Sequence, residues 1–396
     1  MISSKNDSES PQTLPRELSR HEKELVDAGQ TFSYSLFKQT LRREESGNIF
    51  ISPLSVSMAL GMTLNGADGK TATAMKNTLA LQGLTMPEIN ESYASLIKLL
   101  QEADPAVKMK LANSIWIRDG FPVKQPFKET GRKFFEARIE ALDFSDPNAP
   151  DIINQWVSDH TGQLIDGIIE GRIPDEVVMY LINAIYFKGD WQHPFDPDDT
   201  QKRKFTMQDG SEQKLAMMSQ KDTLSAYISD EVQLLDLPYG GGLFSMTLMM
   251  PAGSQTSIDS FVTEQLTSEN MQRWLSSASV APTDISLPKF EMEYKVSMNE
   301  ILKSMGMGVA FVPGSANFSK ISDSGKLFID KVMHKSFLTV DEEGTEAAAA
   351  TSVSIGLTSA SPQARSIHFN RPFVFVIRER TSSAILFMGV MRNPEG

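Results

Sequence analysis

The sequence predicts one large α+β domain. Three observations carry that reading. Helical three-to-four spacing dominates the chain up to about residue 169, β-forming runs dominate from about residue 202, and no repeat or clean linker interrupts residues 22–396. Residues 1–21 stand apart as a flexible polar N-terminal tail, rich in Ser and Asn with Pro11 and Pro15.

The elements follow in order. From His21 to Arg43, Leu25, Gly29, Phe32, Leu36 and Thr40 line one helical face, with Phe37 and Leu41 beside them, and Gly47 fits a stop. Ser52 is a good N-cap and Pro53 a good first residue for a buried helix from Leu54 to about Leu64, ended by Gly66. Residues 67–105 read as further helices and loops. Met109 to Arg118 reads as a strand before a turn at Gly120, and Pro150 to Ile169 as a helix with Ile153, Trp156, Val157 and His160 on one side. Val177 to Phe187 is a continuous run of β-formers broken by Asn183, which suggests a strand covered on both faces. Gly240-Gly-Gly242 joins two strand-like runs as a hairpin, and Ser257–Ser277 returns to helix. Ile285–Val296, Lys326–Val340, Ile367–Arg378 and Ala384–Met391 are strand candidates.

Composition removes several function classes. The 396 residues carry 38 Lys and Arg against 50 Asp and Glu, a net charge of −12, and 40% are hydrophobic. That supports a sizeable core and argues against nucleic-acid binding, which needs clustered cations. With no cysteine there is no disulfide, thiol nucleophile or thiolate metal site. No apolar run reaches the ~18–20 residues of a membrane helix, so no membrane partner is expected. The histidines at 21, 160, 193, 334 and 368 are too scattered for a zinc motif, and no nucleophile elbow or phosphate loop is present. No metal or cofactor is expected. A geometric Ser-His-Asp triad stays open as a hydrolase reading, but nothing in the sequence favours an enzyme, and none is expected.

One segment is anomalous. Gly344 to Ser366 lies between two strand candidates, carries only Glu346 and Arg365 as charges, and is otherwise small or weakly apolar. A loop this long inside a domain is usually functional or disordered. Its pattern has period two. Thr345, Ala347, Ala349, Thr351, Val353 and Ile355 form one face; Glu346, Ala348, Ala350, Ser352, Ser354 and Gly356 form the other. A loop with the pattern of a strand can insert into a neighbouring sheet.

Here the chain resembles a known family. Val340-Asp-Glu-Glu-Gly344-Thr-Glu-Ala-Ala-Ala-Ala350-Thr351 is similar to the hinge of an inhibitory serpin. Asn48-Ile-Phe-Ile-Ser-Pro-Leu-Ser55, Leu111-Ala-Asn-Ser-Ile-Trp-Ile117, Ile182-Asn-Ala-Ile-Tyr-Phe-Lys-Gly-Asp-Trp191, Leu287-Pro-Lys-Phe290, Asn370-Arg-Pro-Phe373 and Phe387-Met-Gly389 resemble serpin landmarks in family order. The resemblance implies the serpin fold: three β-sheets, about nine helices and an exposed reactive-centre loop over about 344–366.

The resemblance also assigns residues. Ser52, Ser55, Asn183 and His334 match the shutter, a polar cluster beneath the middle of sheet A. Trp191, Lys289 and Glu342 match the breach, where the loop first enters, and a Lys289–Glu342 ion pair would hold it closed. The hinge runs Gly344, Thr345, Glu346, Ala347, Ala348, Ala349, Ala350 and Thr351. Thr345 is expected to be the first side chain to enter the sheet, so that Thr345→Arg leaves folding intact. Family spacing puts the reactive bond at Thr358–Ser359, with Leu357–Thr358 as the alternative. Arg365–Ser366 resembles a trypsin-type bond but is expected to be a substrate site at most. The implied function is irreversible suicide-substrate inhibition of an elastase-like, subtilisin-like or chymotrypsin-like serine protease, held as a covalent acyl-enzyme. A non-inhibitory chaperone, carrier or storage protein is the alternative; the four hinge alanines favour inhibition. The chain is expected to be a monomer, capable of loop–sheet polymerisation. Its expected place of action is extracellular or periplasmic; the first ten residues carry no apolar signal core, which leaves the cytoplasm open.

Overall fold

The computed structural model describes residues 13–44, 46–165, 167–324, 327–345 and 365–394. Glu346 to Thr351, and Leu357, Thr358 and Ser359, lie outside the described residues.

Nine α-helical segments occur among the described residues: α1 (Arg20–Leu41), α2 (Pro53–Leu64), α3 (Gly69–Thr78), α4 (Met86–Glu102), α5 (Gln125–Phe135), α6 (Ala149–His160), α7 (Ile258–Ser260), α8 (Ser268–Ser277) and α9 (Asn299–Leu302). None is long and apolar enough to cross a membrane. Ser19 and Glu22 close a capping box at the start of α1. Ser52 caps α2 by accepting from the Ser55 amide, and Pro53 takes the first helical position. Eleven of the twelve α2 residues are buried, because sheet and helices surround it.

Among the described residues there are also fifteen strands: β1 (Ile49–Ile51), β2 (Val107–Arg118), β3 (Arg138–Leu142), β4 (Met179–Asp190), β5 (Gln201–Thr206), β6 (Glu212–Ile228), β7 (Val232–Tyr239), β8 (Phe244–Pro251), β9 (Ser279–Pro288), β10 (Phe290–Ser297), β11 (Met333–Val340), β12 (Gly344–Thr345), β13 (Arg365–His368), β14 (Phe373–Glu379) and β15 (Ile385–Met391). One sheet has the order β10-β11-β12-β4-β2-β3. The other nine strands form a continuous ladder, β1-β15-β14-β8-β7-β6-β9-β13 with β5 also on β6. The 17-residue β6 divides this ladder. Its first part pairs with β5, its middle with β9, and its last four residues with β7. The ladder is thus two sheets sharing one strand, and the domain has three sheets.

The six-stranded sheet is covered on both faces. Ile182 of β4 joins Trp116, Trp156 and Val157 in a cluster under α6, while Ile185 and Phe187 face the main core with α2. The expectation for 177–187 holds, and the alternation explains it: one strand feeds two cores.

Several predicted boundaries move, each for a local reason. The helix expected to Ile169 ends at His160, because Gly162 and Gln163 take positive φ. The helix expected over 257–277 breaks where Leu266 is extended and the Thr267 side chain caps α8. The strand expected over 285–296 is two, β9 and β10, in different sheets with Lys289 between them. The strand expected over 367–378 is also two, separated at Asn370-Arg371-Pro372, where Pro supplies no ladder donor.

Candidate functional site

The upper end of the six-stranded sheet is built around β12. Gly344 pairs with Asp190 and Thr345 with Gly189 of β4, while Thr345 also pairs with Val340 of β11. Among the described residues no ladder joins β11 directly to β4; β12 bridges them. The turn into β12 is made by Asp341, whose carboxylate accepts from the Glu343 and Gly344 amides at 3.0 and 3.2 Å. Gly344 is required here. Its φ is +154°, and a Cβ would lie 2.3 Å from the Gly189 carbonyl oxygen.

Thr345 is fully buried, with its hydroxyl 2.7 Å from that of Tyr239. This corrects the expectation that Thr345 enters only on cleavage: it already belongs to the sheet. Thr345→Arg would therefore bury a guanidinium in the intact protein and disturb folding.

Trp191 stacks on Tyr239, ring centres 4.5 Å apart at 11°. Its indole donates to the Asp341 carbonyl at 2.9 Å and its amide to the Glu343 carbonyl at 2.7 Å. Lys289 and Glu342 form an ion pair at 2.6 Å, and the Thr200 hydroxyl donates to the other carboxylate oxygen at 2.7 Å. The pair is one-sided: the Glu342 side chain is 10% exposed and that of Lys289 41%. Burial alone would raise the Glu342 carboxyl, but the Lys289 and Thr200 hydrogen bonds outweigh it and hold the pKa below the ordinary value.

Lower in the same sheet, a buried polar chain crosses from β11 to β2. The Ser52 amide donates to His334 Nε2 at 3.1 Å, and the Ser52 hydroxyl donates to the Leu386 carbonyl at 2.8 Å. The Ser55 hydroxyl donates to Asn183, whose amide donates to Asn113, whose own amide donates to the Phe135 carbonyl at 2.7 Å. Ser52, Ser55, Asn183 and His334 thus meet in one network. Burial pushes the His334 imidazole down to about 4. It is neutral near pH 7, as an acceptor for an amide must be.

Sequence reasoning missed Asn113, Tyr239, Thr200 and Ser336. Asn113 had a signal: it interrupts an apolar strand as Asn183 does, and the two are register partners. Ser336, whose hydroxyl donates to the Phe50 carbonyl, and Thr200 had none. Tyr239 was hidden inside a hairpin reading. Arg365 changes its standing. It sits in β13, and its guanidinium donates to the carbonyls of Ala226, Leu224 and Ser279 at 3.0, 3.0 and 2.8 Å. A side chain so held does not present itself to a trypsin-type pocket, so Arg365–Ser366 loses its place even as a substrate site.

Among the described residues no group of three or more His, Cys, Asp or Glu could hold a metal ion. The site thus combines a short bridging strand, a buried polar network and a one-sided ion pair.

A sequence model described as "Serpin (serine protease inhibitor)" matches residues 27–394. Serpin B3 of Homo sapiens is 32% identical over 395 residues, covering 93% of this chain and 99% of that protein. Neuroserpin of Homo sapiens is 31% identical, covering 92% and 90%. The crystal structure of native tengpin, a thermophilic serpin, superposes with a TM-score of 0.86 at 32% identity, covering 97% of each chain. That of human thyroxine-binding globulin with thyroxine superposes at 0.86 and 25% identity, covering 95% and 100%.

Proposed function

The chain belongs to the serpin family, and from that premise we propose that it is an irreversible suicide-substrate inhibitor of serine proteases. The family is one of protease inhibitors. The observation that carries the finer reading is the register of β12. Continued residue by residue from Thr345–Gly189 and Thr345–Val340, the loop would place Ala347 opposite Phe187, Ala349 opposite Ile185 and Thr351 opposite Asn183. On the other side, Thr351 would meet His334. Directly opposed residues in a ladder share a face. Odd-numbered positions would therefore face the main core and even-numbered ones the cluster under α6. The sequence of the loop suits that division: Val353 and Ile355 fall on the core side, Ser352 and Ser354 on the other.

In this mechanism the protease serine attacks the Thr358 carbonyl. The ester forms, the Thr358–Ser359 peptide bond breaks, and the Ser359 amine leaves with the proton. The freed segment then extends β12 downward between β11 and β4. At ~3.3 Å per residue, about 15 inserted residues carry the tethered enzyme roughly 50 Å, before water can hydrolyse the ester. Trp191, Lys289, Glu342 and Tyr239 would hold the upper end of the sheet. The network of Ser52, Ser55, Asn183 and His334 would satisfy buried polar groups while β4 and β11 part. Small Thr358 after Leu357 suits elastase-like or subtilisin-like enzymes; cleavage at Leu357–Thr358 would suit a chymotrypsin-like one.

The test is incubation with representatives of these protease classes, followed by denaturing electrophoresis and mass spectrometry. A complex that survives denaturant, with release of a C-terminal fragment starting at Ser359, is expected. Clean cleavage with free, active protease would leave the carrier reading, for which thyroxine-binding globulin is the structural precedent.

A further inference from the structure

Beside β12, the outer face of the six-stranded sheet carries two lysines directly opposite each other. Lys188 of β4 and Lys108 of β2 are register partners. Their neighbours Phe187, Val107 and Met109 belong to the main core, so both lysines lie on the other face. Lys108 is exposed and Lys188 partly buried. Neither has an ion-pair partner among the described residues. Like charges directly opposite in a ladder repel, so the intact sheet carries a local cost at this row.

The register proposed above, on which this inference rests, supplies the missing anion. Thr345 pairs with Gly189 on one side and Val340 on the other. The next residue, Glu346, would therefore come opposite Lys188 and Thr339. Thr339 is in turn the register partner of Glu291. The completed row would read Glu291, Thr339, Glu346, Lys188, Lys108 across five strands. Glu346 is the only acid between Gly344 and Ser366, and its even position faces outward with the lysines. We propose that Lys188, backed by Lys108, is a positioning residue for Glu346: after cleavage it takes the carboxylate as an ion pair and fixes the first new row of the inserting strand.

Distances give the sign. Strands lie ~4.8 Å apart, so Lys188 is one spacing from Glu346. Glu291 and Lys108 are each two spacings away, near the Debye length, and offset one another. On the adjoining rows of the same face Asp190 and Lys110 also oppose each other. Lys188 therefore decides. The pair also selects register. A slip of one residue would turn Glu346 into the core, and a slip of two would set it against Asp190 or Tyr186.

A charge swap is the test, read as the number of inhibitor molecules consumed per protease trapped. Glu346→Lys would set three lysines abreast and should raise that number severalfold. Lys188→Glu would set two carboxylates side by side and should raise it similarly. The double variant should return toward the wild type, which a merely structural role for Lys188 would not produce. Both single defects should shrink at about 1 M salt, where the Debye length is ~3 Å. If Lys188→Glu lowers the melting of the intact protein, Lys188→Gln in the Glu346→Lys background takes its place, and it should recover part of the trapping. A wild-type number in Glu346→Lys, or no recovery in either double variant, overturns the inference even when the wild type traps protease normally. Failure of the wild type to trap any protease, with no change in melting on cleavage, instead overturns the proposed function, and the pairing with it.

Discussion

The hydroxyls of Tyr239 and Thr345 lie 2.7 Å apart, both buried, behind the first pairing of β12 with β4. Burial raises the Tyr239 phenol further than the Thr345 hydrogen bond lowers it, so the group stays protonated throughout the working range. Tyr239→Phe keeps the stack on Trp191 but leaves the Thr345 hydroxyl without this partner, a loss of about 1–3 kcal/mol. The variant should melt lower, and the Thr345 amide should exchange faster. Wild-type exchange at Thr345 in the variant would mean that this contact does not hold the upper hinge in the sheet.

The pH dependence of His334 has a definite sign. Its folded pKa of about 4 lies below the ~6.5 of an unfolded imidazole, so between these values the unfolded chain binds the extra proton. The stabilisation is complete above about pH 6.5 and falls away as the pH drops toward 4, by on the order of 3 kcal/mol. His334→Gln removes the titration. Urea melts at pH 7 and 4.5 should show a larger loss in the wild type than in the variant. Equal losses would place the acid sensitivity elsewhere.

Lys289→Ala strips the half-exposed partner from a largely buried carboxylate. Glu342 keeps the Thr200 hydroxyl and a backbone amide but no cation, so burial pushes its pKa upward. Because the wild-type carboxyl is held below its ordinary value, its contribution is present above about pH 4.3 and disappears as the pH falls through the folded pKa. A destabilisation of about 1–2 kcal/mol at pH 7 is expected, shrinking by pH 3, together with polymers on native gels after mild heating. A variant as monomeric and heat-stable as wild type would show that the ion pair does not keep the sheet closed.

The sequence discloses strands where one physical demand acts on a run of residues. Val177–Phe187 is apolar apart from Asn183 because it serves two cores, and Ser52-Pro53 announces α2 through capping alone. It discloses less where tertiary contacts decide. Nothing in Pro288-Lys289-Phe290 says that the strands on either side belong to different sheets. Periodicity cannot reveal that Arg365 spends its donors on carbonyls of β6 and β9, or that Thr345 is already paired. The polar network was half legible, since Asn183 and Asn113 each interrupt an apolar strand. Tyr239 was illegible because its partner lies 106 residues away.

Ala349→Arg probes insertion without touching the described core. In the continued register it would enter opposite Ile185 and place a guanidinium among apolar side chains, at a cost of several kcal/mol. Intact melting should match the wild type, while trapping should fall sharply in favour of plain cleavage. Denaturing gels of protease reactions give the ratio. Undiminished complex formation would remove the register from which the mechanism is built.

Cleavage near Thr358 should stabilise the protein. An ordinary nicked loop leaves stability unchanged or lower, because it adds freedom mainly to the unfolded chain. Here the freed segment has alternating small and apolar residues from Thr345 to Ile355, and in the proposed mechanism it continues the pairing that Gly344 and Thr345 make with β4 and β11. Extension would add ladder hydrogen bonds at ~1 kcal/mol each and bury Val353 and Ile355 at ~1.5–3 kcal/mol each. With a net gain on the order of 10 kcal/mol and about 2–4 °C per kcal/mol, the melting midpoint should rise by tens of degrees. The intact form would then be held by kinetics and not by its free-energy minimum. Melts of intact and singly cleaved protein under identical conditions, with the cut located by mass, decide the matter. A cleaved form melting at or below the intact one means that the loop does not insert, and the four hinge alanines then say nothing about inhibition.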